Sequence, residues 1–259
     1  LRDYYRAYLR IAEEHGAGFV LETPTGRAHA DVGARLGYAA TGLDRVNQQA
    51  VGFLRALADD AAADVIISGN IGPRGDGYVV GETMTAEAAY AYHYPQVRSL
   101  AMAGADAVTA LTLTYAEEAI GIARAAAHLG VPAVISFTVE TDGVLPSGES
   151  LGSAIERVDA AGPGAVAYYM LNCAHPTPFE DALETDAPRL QRLRGLRANA
   201  SARSHAELDA ATELVRGDPE DLAGTAVFLA SKASDFVNGQ VVYVDGGILS
   251  TIGKPSNED

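Results

Sequence analysis

The feature that most constrains this chain is an order of segments: short runs of aliphatic and β-branched residues alternate with longer helical patterns along most of its length. Parallel strands need a crossover between them, and a helix supplies it, so this alternation implies βα units and a parallel sheet. Strands are expected at Phe19 to Thr23, Val65 to Asn70, Ala107 to Thr112, Ala133 to Thr138, Val166 to Asn172, Gly195 to Asn199 and Gln240 to Val244. A closed (β/α)8 barrel has eight strands, one more than this count.

Between the runs, Val46, Ala50, Phe53, Leu54 and Leu57 recur at helical spacing, as a helix lying on a sheet requires. Thr114 to Glu117 and Ser204 to Glu207 both fit a capping box, and Gly104 and Gly130 fall where helices should stop. Pro219 fits the first position of a last helix.

Polar residues collect just after the proposed strand ends: Glu22, Asn70, Glu140 with Asp142, Asn172 with Cys173 and His175, then Asn199 and Ser201. A parallel barrel brings those ends to one rim, where barrel active sites are built. The plainer alternative is that strand-end loops are polar in most proteins.

Composition narrows the function classes. A formal net charge of -15 with two lysines, Lys232 and Lys254, and no Lys/Arg cluster would repel a phosphate backbone, so nucleic-acid binding is not expected. No apolar stretch approaches the ~18 to 20 residues that span a bilayer, so no membrane partner is expected. The opening LRDYYRAYLR reads as a helix, without the apolar core of a signal peptide or an initiating methionine, which suggests a missing or processed upstream segment. The single cysteine excludes an intrachain disulfide, and a cytoplasmic location is the default expectation. The glycine-rich GNIGPRGDG (69–77) fits neither G-x-G-x-x-G nor the P-loop pattern and reads as a tight loop at the barrel mouth.

Six strings, FVLETPT (19–25), SGNIGPRGDGY (68–78), AGADAVTALTLTYAEEA (103–119), SFTVETDGVLPSGESL (136–151), YYMLNCAHPTPF (168–179) and GLRANAS (195–201), resemble the homocysteine S-methyltransferase family in order over residues 1–216. The resemblance implies a TIM-barrel-like (β/α)8 fold and methyl transfer from a sulfonium or related donor to the thiol of homocysteine, giving methionine. It implies a zinc ion held by three cysteines, which would activate the substrate thiol as a thiolate. Cys173 in NCAHP is then the first zinc ligand, and Glu140 in TVETDG holds the substrate ammonium. Asn70 and Asn172 are amides that orient substrate or tie down their own loops.

The resemblance breaks at both ends. The family's other two cysteines lie side by side after a Gly-Gly pair, whereas here Gly246 and Gly247 are followed by Ile248 and Leu249, neither of which binds zinc. Residues 217–259 resemble instead the end of a short-chain dehydrogenase/reductase of the gluconate 5-dehydrogenase type. That chemistry needs a Tyr-x-x-x-Lys pair and a glycine-rich dinucleotide loop, and this chain has neither. Family members also open with a glycine-rich first strand that this chain lacks. The expected architecture is therefore an incomplete (β/α)8 barrel over 1–216, its last strand replaced by a dehydrogenase-like helix and strand over 217–259 packed on it. Its exposed edge could pair with a second copy.

Three functional expectations follow. The first is a methyltransferase impaired by the loss of two zinc ligands. The second is a substitute metal site of Cys173, His175 and an acid such as Glu140, since zinc accepts nitrogen and oxygen ligands. The third is a non-catalytic remnant that still holds an amino acid.

Overall fold

A computed structural model of the chain describes residues 1–174, 189–198, 201, 203–212 and 243–244. Each of the seven aliphatic runs contains a strand: β1 (Phe19–Glu22), β2 (Val65–Ile71), β3 (Ala107–Leu113), β4 (Ala133–Phe137), β5 (Val166–Ala174), β6 (Leu193–Ala198) and a short β7 (Tyr243–Val244). The helices between them are α1 (Arg2–Glu14), α2 (Ala30–Arg35), α3 (Ala40–Ala58), α4 (Ala86–Met102), α5 (Ala116–Leu129), α6 (Leu151–Ala161) and α7 (His205–Asp209), with a 3-10 turn at Arg189–Arg192.

All six strand pairings are parallel, and each strand neighbours the next in sequence, from β1 to β7. Strictly sequential order is barrel winding. A doubly wound dinucleotide-binding sheet reverses its order at a switch point, and no such reversal exists here. Among the described residues no strand joins β7 back to β1, so the sheet is an open, TIM-barrel-like arc. Apart from Tyr243 and Val244, the segment 217–259, with Lys232, Lys254, Ile248 and Leu249, lies outside the described residues.

The strand sequences explain which side faces the helices. Ile67, Val108, Ile135 and Leu171 are wholly buried in the apolar layer together with Val51, Leu54 and Leu57 of α3, Val97 and Leu100 of α4, and Ile122 of α5. Their chain neighbours Ser68, Thr109, Ser136 and Asn172 point the other way, because side chains alternate along a strand. These polar groups satisfy one another inside the arc: Ser68 Oγ lies 2.6 Å from Thr109 Oγ1, and Ser136 Oγ donates to Asn172 Oδ1 at 2.6 Å. Helices α4 and α5 meet closely where Gly121 faces Ala89, so that a Cβ at Gly121 would stand 2.5 Å from the Ala89 Cβ.

The helix signals resolve one by one. Ser204 and Glu207 form the expected capping box at α7, and Gly130 ends α5 in the left-handed conformation at φ 68°. Gly104, at φ 88°, follows α4 as expected. Thr114 does not cap α5. The helix begins one residue later, with Tyr115 as its N-cap and no side-chain cap. The register has a physical cause: Thr114 is buried at the end of β3, Glu118 turns into the interior, and Glu117 turns out to pair with Arg157.

Candidate functional site

The C-terminal end of β5 organises the rim. Asn172 is 1% exposed, and its amide is fully engaged: Oδ1 accepts from the Thr112 N–H at 2.8 Å and from Ser136 Oγ at 2.6 Å, while Nδ2 donates to Thr112 Oγ1 at 2.9 Å. It thereby ties β3, β4 and β5 together at the point where Thr112 adopts a positive φ of 63° and the β3–β4 register shifts. The next residue, Cys173, is also left-handed, at φ 55°. A non-glycine residue in that region is held there by its surroundings at a cost on the order of 1 kcal/mol.

Two residues from other segments contact Cys173, and one of them links it to Glu140. Tyr78 donates its hydroxyl to Cys173 Sγ at 3.3 Å. His205, the first residue of α7, places Nε2 2.8 Å from the Cys173 carbonyl oxygen and Nδ1 3.1 Å from Glu140 Oε1. The Tyr78 and His205 rings lie 4.3 Å apart between centroids and cover one another. Burial, and then the neighbouring Cys173, pushes the Tyr78 phenol above its ordinary value, which keeps it protonated and a donor.

Glu140 sits in a tight turn after β4, where Gly143 N–H donates to the Glu140 carbonyl at 2.9 Å and Gly143 takes φ 75°. Asp142 serves that turn by accepting from the Val144 N–H at 3.0 Å.

Tyr78 reaches the rim because the glycine-rich loop is pinned from below. Glu118, wholly buried, accepts from the Arg74 N–H at 2.7 Å and lies 2.9 Å from His93 Nε2. Gly72 packs so closely on the loop after β1 that a Cβ there would stand 2.3 Å from the Gly26 carbonyl oxygen. Asp76 Oδ1 then accepts from the N–H groups of Tyr78 at 2.7 Å and Val79 at 3.1 Å, closing the turn that presents the phenol.

On the side of the arc towards β1, Glu22 faces Arg197 of β6 at 3.6 Å, with side chains 19% and 15% exposed. Burial pushes the Glu22 carboxyl up, and Arg197 opposes that shift. Asn70, the penultimate residue of β2, has its main chain tied to Thr23 and Thr25, while its side-chain amide makes no hydrogen bond among the described residues.

Glu140 and Cys173 thus meet at one place through His205. Asn172 lies directly beneath as a strand tie, and Asn70, on β2, stands three strands from β5 and beside β1. His175 and Asn199 lie outside the described residues. Sequence reasoning missed Tyr78 and His205 as site residues. His205 was visible only as part of a capping box, and Tyr78 only as the aromatic residue that closes the glycine-rich string.

The zinc implied by the family resemblance would need three thiolates at this rim. The sequence has one cysteine, and among the described residues no cluster of three or more His, Cys, Asp or Glu could hold a metal. Both nitrogens of His205 already face oxygen acceptors and neither faces the thiol. The residues present do not fit a three-thiolate site.

A sequentially ordered parallel sheet with helices on its outer face, polar groups within and reactive side chains on the strand-end rim defines an α/β protein of the TIM-barrel class. The family model for homocysteine S-methyltransferase matches residues 1–247, and the chain belongs to that family. The metallated form of the homocysteine methyltransferase MmuM from Escherichia coli is 25% identical, with a TM-score of 0.63 over 77% of this chain and 70% of that one. The oxidised form of the same protein aligns over 87% of this chain and 73% of its own, at 20% identity and a TM-score of 0.63. A 43-residue segment, 17% of this chain, is 84% identical to 2-dehydro-3-deoxy-D-gluconate 5-dehydrogenase from Formosa agariphila and spans 16% of that relative. A 36-residue segment is 64% identical to the 5-keto-D-gluconate 5-reductase of Escherichia coli, 14% of that relative's length. The chain therefore spans about one-sixth or less of the curated dehydrogenases it matches, which agrees with the dehydrogenase-like segment seen in the sequence. Among the described residues no helix is long and apolar enough to cross a membrane.

Proposed function

We propose that this protein binds a small amino-acid thiol at the rim of a homocysteine S-methyltransferase scaffold, and that its methyl transfer from a sulfonium donor is impaired. The observation that carries the impairment is the cysteine count. The family chemistry draws on three thiolates, and this chain has Cys173 alone. A thiol is mostly protonated at neutral pH, and with one cysteine the chain lacks the three-thiolate metal site that supplies the deprotonation in the family chemistry.

What supports retained binding is the order of the rim. Glu140 offers a carboxylate that is one-third exposed and suited to an ammonium, and Asn70 offers an amide with no partner among the described residues. Asn172 contributes by holding the floor on which Cys173 and Tyr78 stand. The dehydrogenase-like tail carries neither the Tyr-x-x-x-Lys pair nor the glycine-rich dinucleotide loop of that chemistry.

Calorimetry with L-homocysteine and L-methionine in excess chelator, beside an S-methylmethionine-dependent transfer assay, tests it. Chelator-insensitive binding with turnover at background supports the proposal. Full-rate, chelator-sensitive transfer by this chain overturns it.

A further inference from the structure

We infer that His205 is a positioning residue of this site, which locks the Glu140 carboxylate and the Cys173 backbone at a fixed separation so that Glu140 can receive an amino-acid ammonium. The inference rests on the amino-acid-binding reading above and extends it to a residue that the sequence marked only as part of a helix cap.

The geometry makes His205 the junction of three rim segments. Its Nδ1 lies 3.1 Å from Glu140 Oε1 in the turn after β4, and its Nε2 lies 2.8 Å from the Cys173 carbonyl at the end of β5. Its ring lies 4.3 Å from that of Tyr78, tilted by 34°, and Tyr78 is the residue that donates to Cys173 Sγ. His205 and Tyr78 touch each other and both reach Cys173, one at its carbonyl and the other at its thiol, and Glu140 joins this group through His205. The side chain is 11% exposed against 32% for Glu140, so the imidazole is enclosed while the carboxylate it holds remains open to the mouth.

Two further features favour positioning over incidental packing. Cys173 is held at φ 55°, a conformation whose cost must be offset locally, and the bond from His205 to its carbonyl is one contact that does so. The base of His205 is itself fixed, because the Ser204 and Glu207 side chains and backbones satisfy each other at the first turn of α7. A histidine carried on a capped helix start, with acceptors at both ring nitrogens, has little rotational freedom left. Its carboxylate partner inherits that order, and a preorganised carboxylate binds a cation without first losing side-chain entropy.

The test uses two ligands that differ only in the ammonium, L-methionine and 4-(methylthio)butanoate, with affinities measured by calorimetry on the full chain. His205→Ala should reduce the preference for L-methionine by about tenfold, the range for losing one hydrogen bond to a charged group. Binding of 4-(methylthio)butanoate should change little. His205→Gln, which can still donate to one acceptor, should recover part of the preference. Because His205 acts through Glu140, adding His205→Ala to Glu140→Gln should cost no further preference, and if His205→Ala folds poorly the same comparison is made with His205→Gln. Unchanged discrimination in His205→Ala, or full additivity in the double variant, overturns the inference alone. A wild-type chain that binds L-methionine no better than 4-(methylthio)butanoate overturns the amino-acid-site reading and this inference with it.

Discussion

Replacing Asn172 with alanine should cost the fold about 3 kcal/mol, because the change removes three hydrogen bonds, each with a net worth near 1 kcal/mol. The Thr112 N–H and the wholly buried Ser136 hydroxyl both donate to Asn172 Oδ1, and neither keeps that acceptor in the variant. Ser136 can rotate towards another acceptor, and Thr112 is half-buried and open to some water, which holds the estimate at the lower end for orphaned donors. Of a typical domain stability of about 5–15 kcal/mol this is a large share. Urea unfolding followed by circular dichroism should show a lower midpoint at unchanged slope. Ser136→Ala alone should cost about 1 kcal/mol, and Asn172→Ala should cost correspondingly less in that background, since the two share a bond. A cost below about 0.5 kcal/mol for Asn172→Ala, the size of an ordinary surface substitution, would refute the reasoning. Were that small cost accompanied by a large loss of ligand affinity, Asn172 would be a ligand contact instead of a strand tie.

Stability should also fall in acid on account of His29. Burial, reinforced by Arg27, lowers its value from 6.5 to about 4, and its ring lies 2.7 Å from the Tyr92 hydroxyl. Above pH 6.5 neither state holds the proton; as the pH drops towards 4, the unfolded chain takes it up and the folded chain does not. The loss amounts to at most about 3 kcal/mol across that window, and His29→Gln should flatten it in denaturation curves taken from pH 7 to 4.5. Two glycines give a paired test of helix packing. Gly121→Ala should destabilise by about 2 kcal/mol, because its Cβ would meet the Tyr90 backbone nitrogen at 2.5 Å, whereas Gly52→Ala in α3 meets nothing within 4 Å and should stabilise by about 0.5–1 kcal/mol. Equal shifts in thermal midpoint for the two would contradict the α4–α5 packing.

Much of this architecture was legible in the residues. The strands announced themselves because Ile67, Val108, Ile135 and Leu171 sit in runs long enough to line a buried layer, and Gly130 and Ser204 marked helix ends by chemistry that acts within one turn. Local chemistry misplaced the start of α5 by one residue. Thr114 looked like a cap, yet burial of its own side chain and the inward demand of Glu118 decided the register. The site was less legible for the same reason. Glu140 and Cys173 could be placed on one rim by strand position, but His205 joins them across sequence separations of 65 and 32 residues, which no local pattern encodes. The role of Asn172 was likewise hidden, since its partners Thr112 and Ser136 come from two earlier strands.

The central claim is a homocysteine S-methyltransferase scaffold without the means to hold its family's zinc, and metal content measures it most directly. After chelator treatment, zinc reloading and desalting, the protein is predicted to retain far less than one equivalent per chain, with Cys173→Ala indistinguishable from wild type. Zinc near one equivalent that disappears in Cys173→Ala would contradict the account and show a metal centre rebuilt around the remaining thiol.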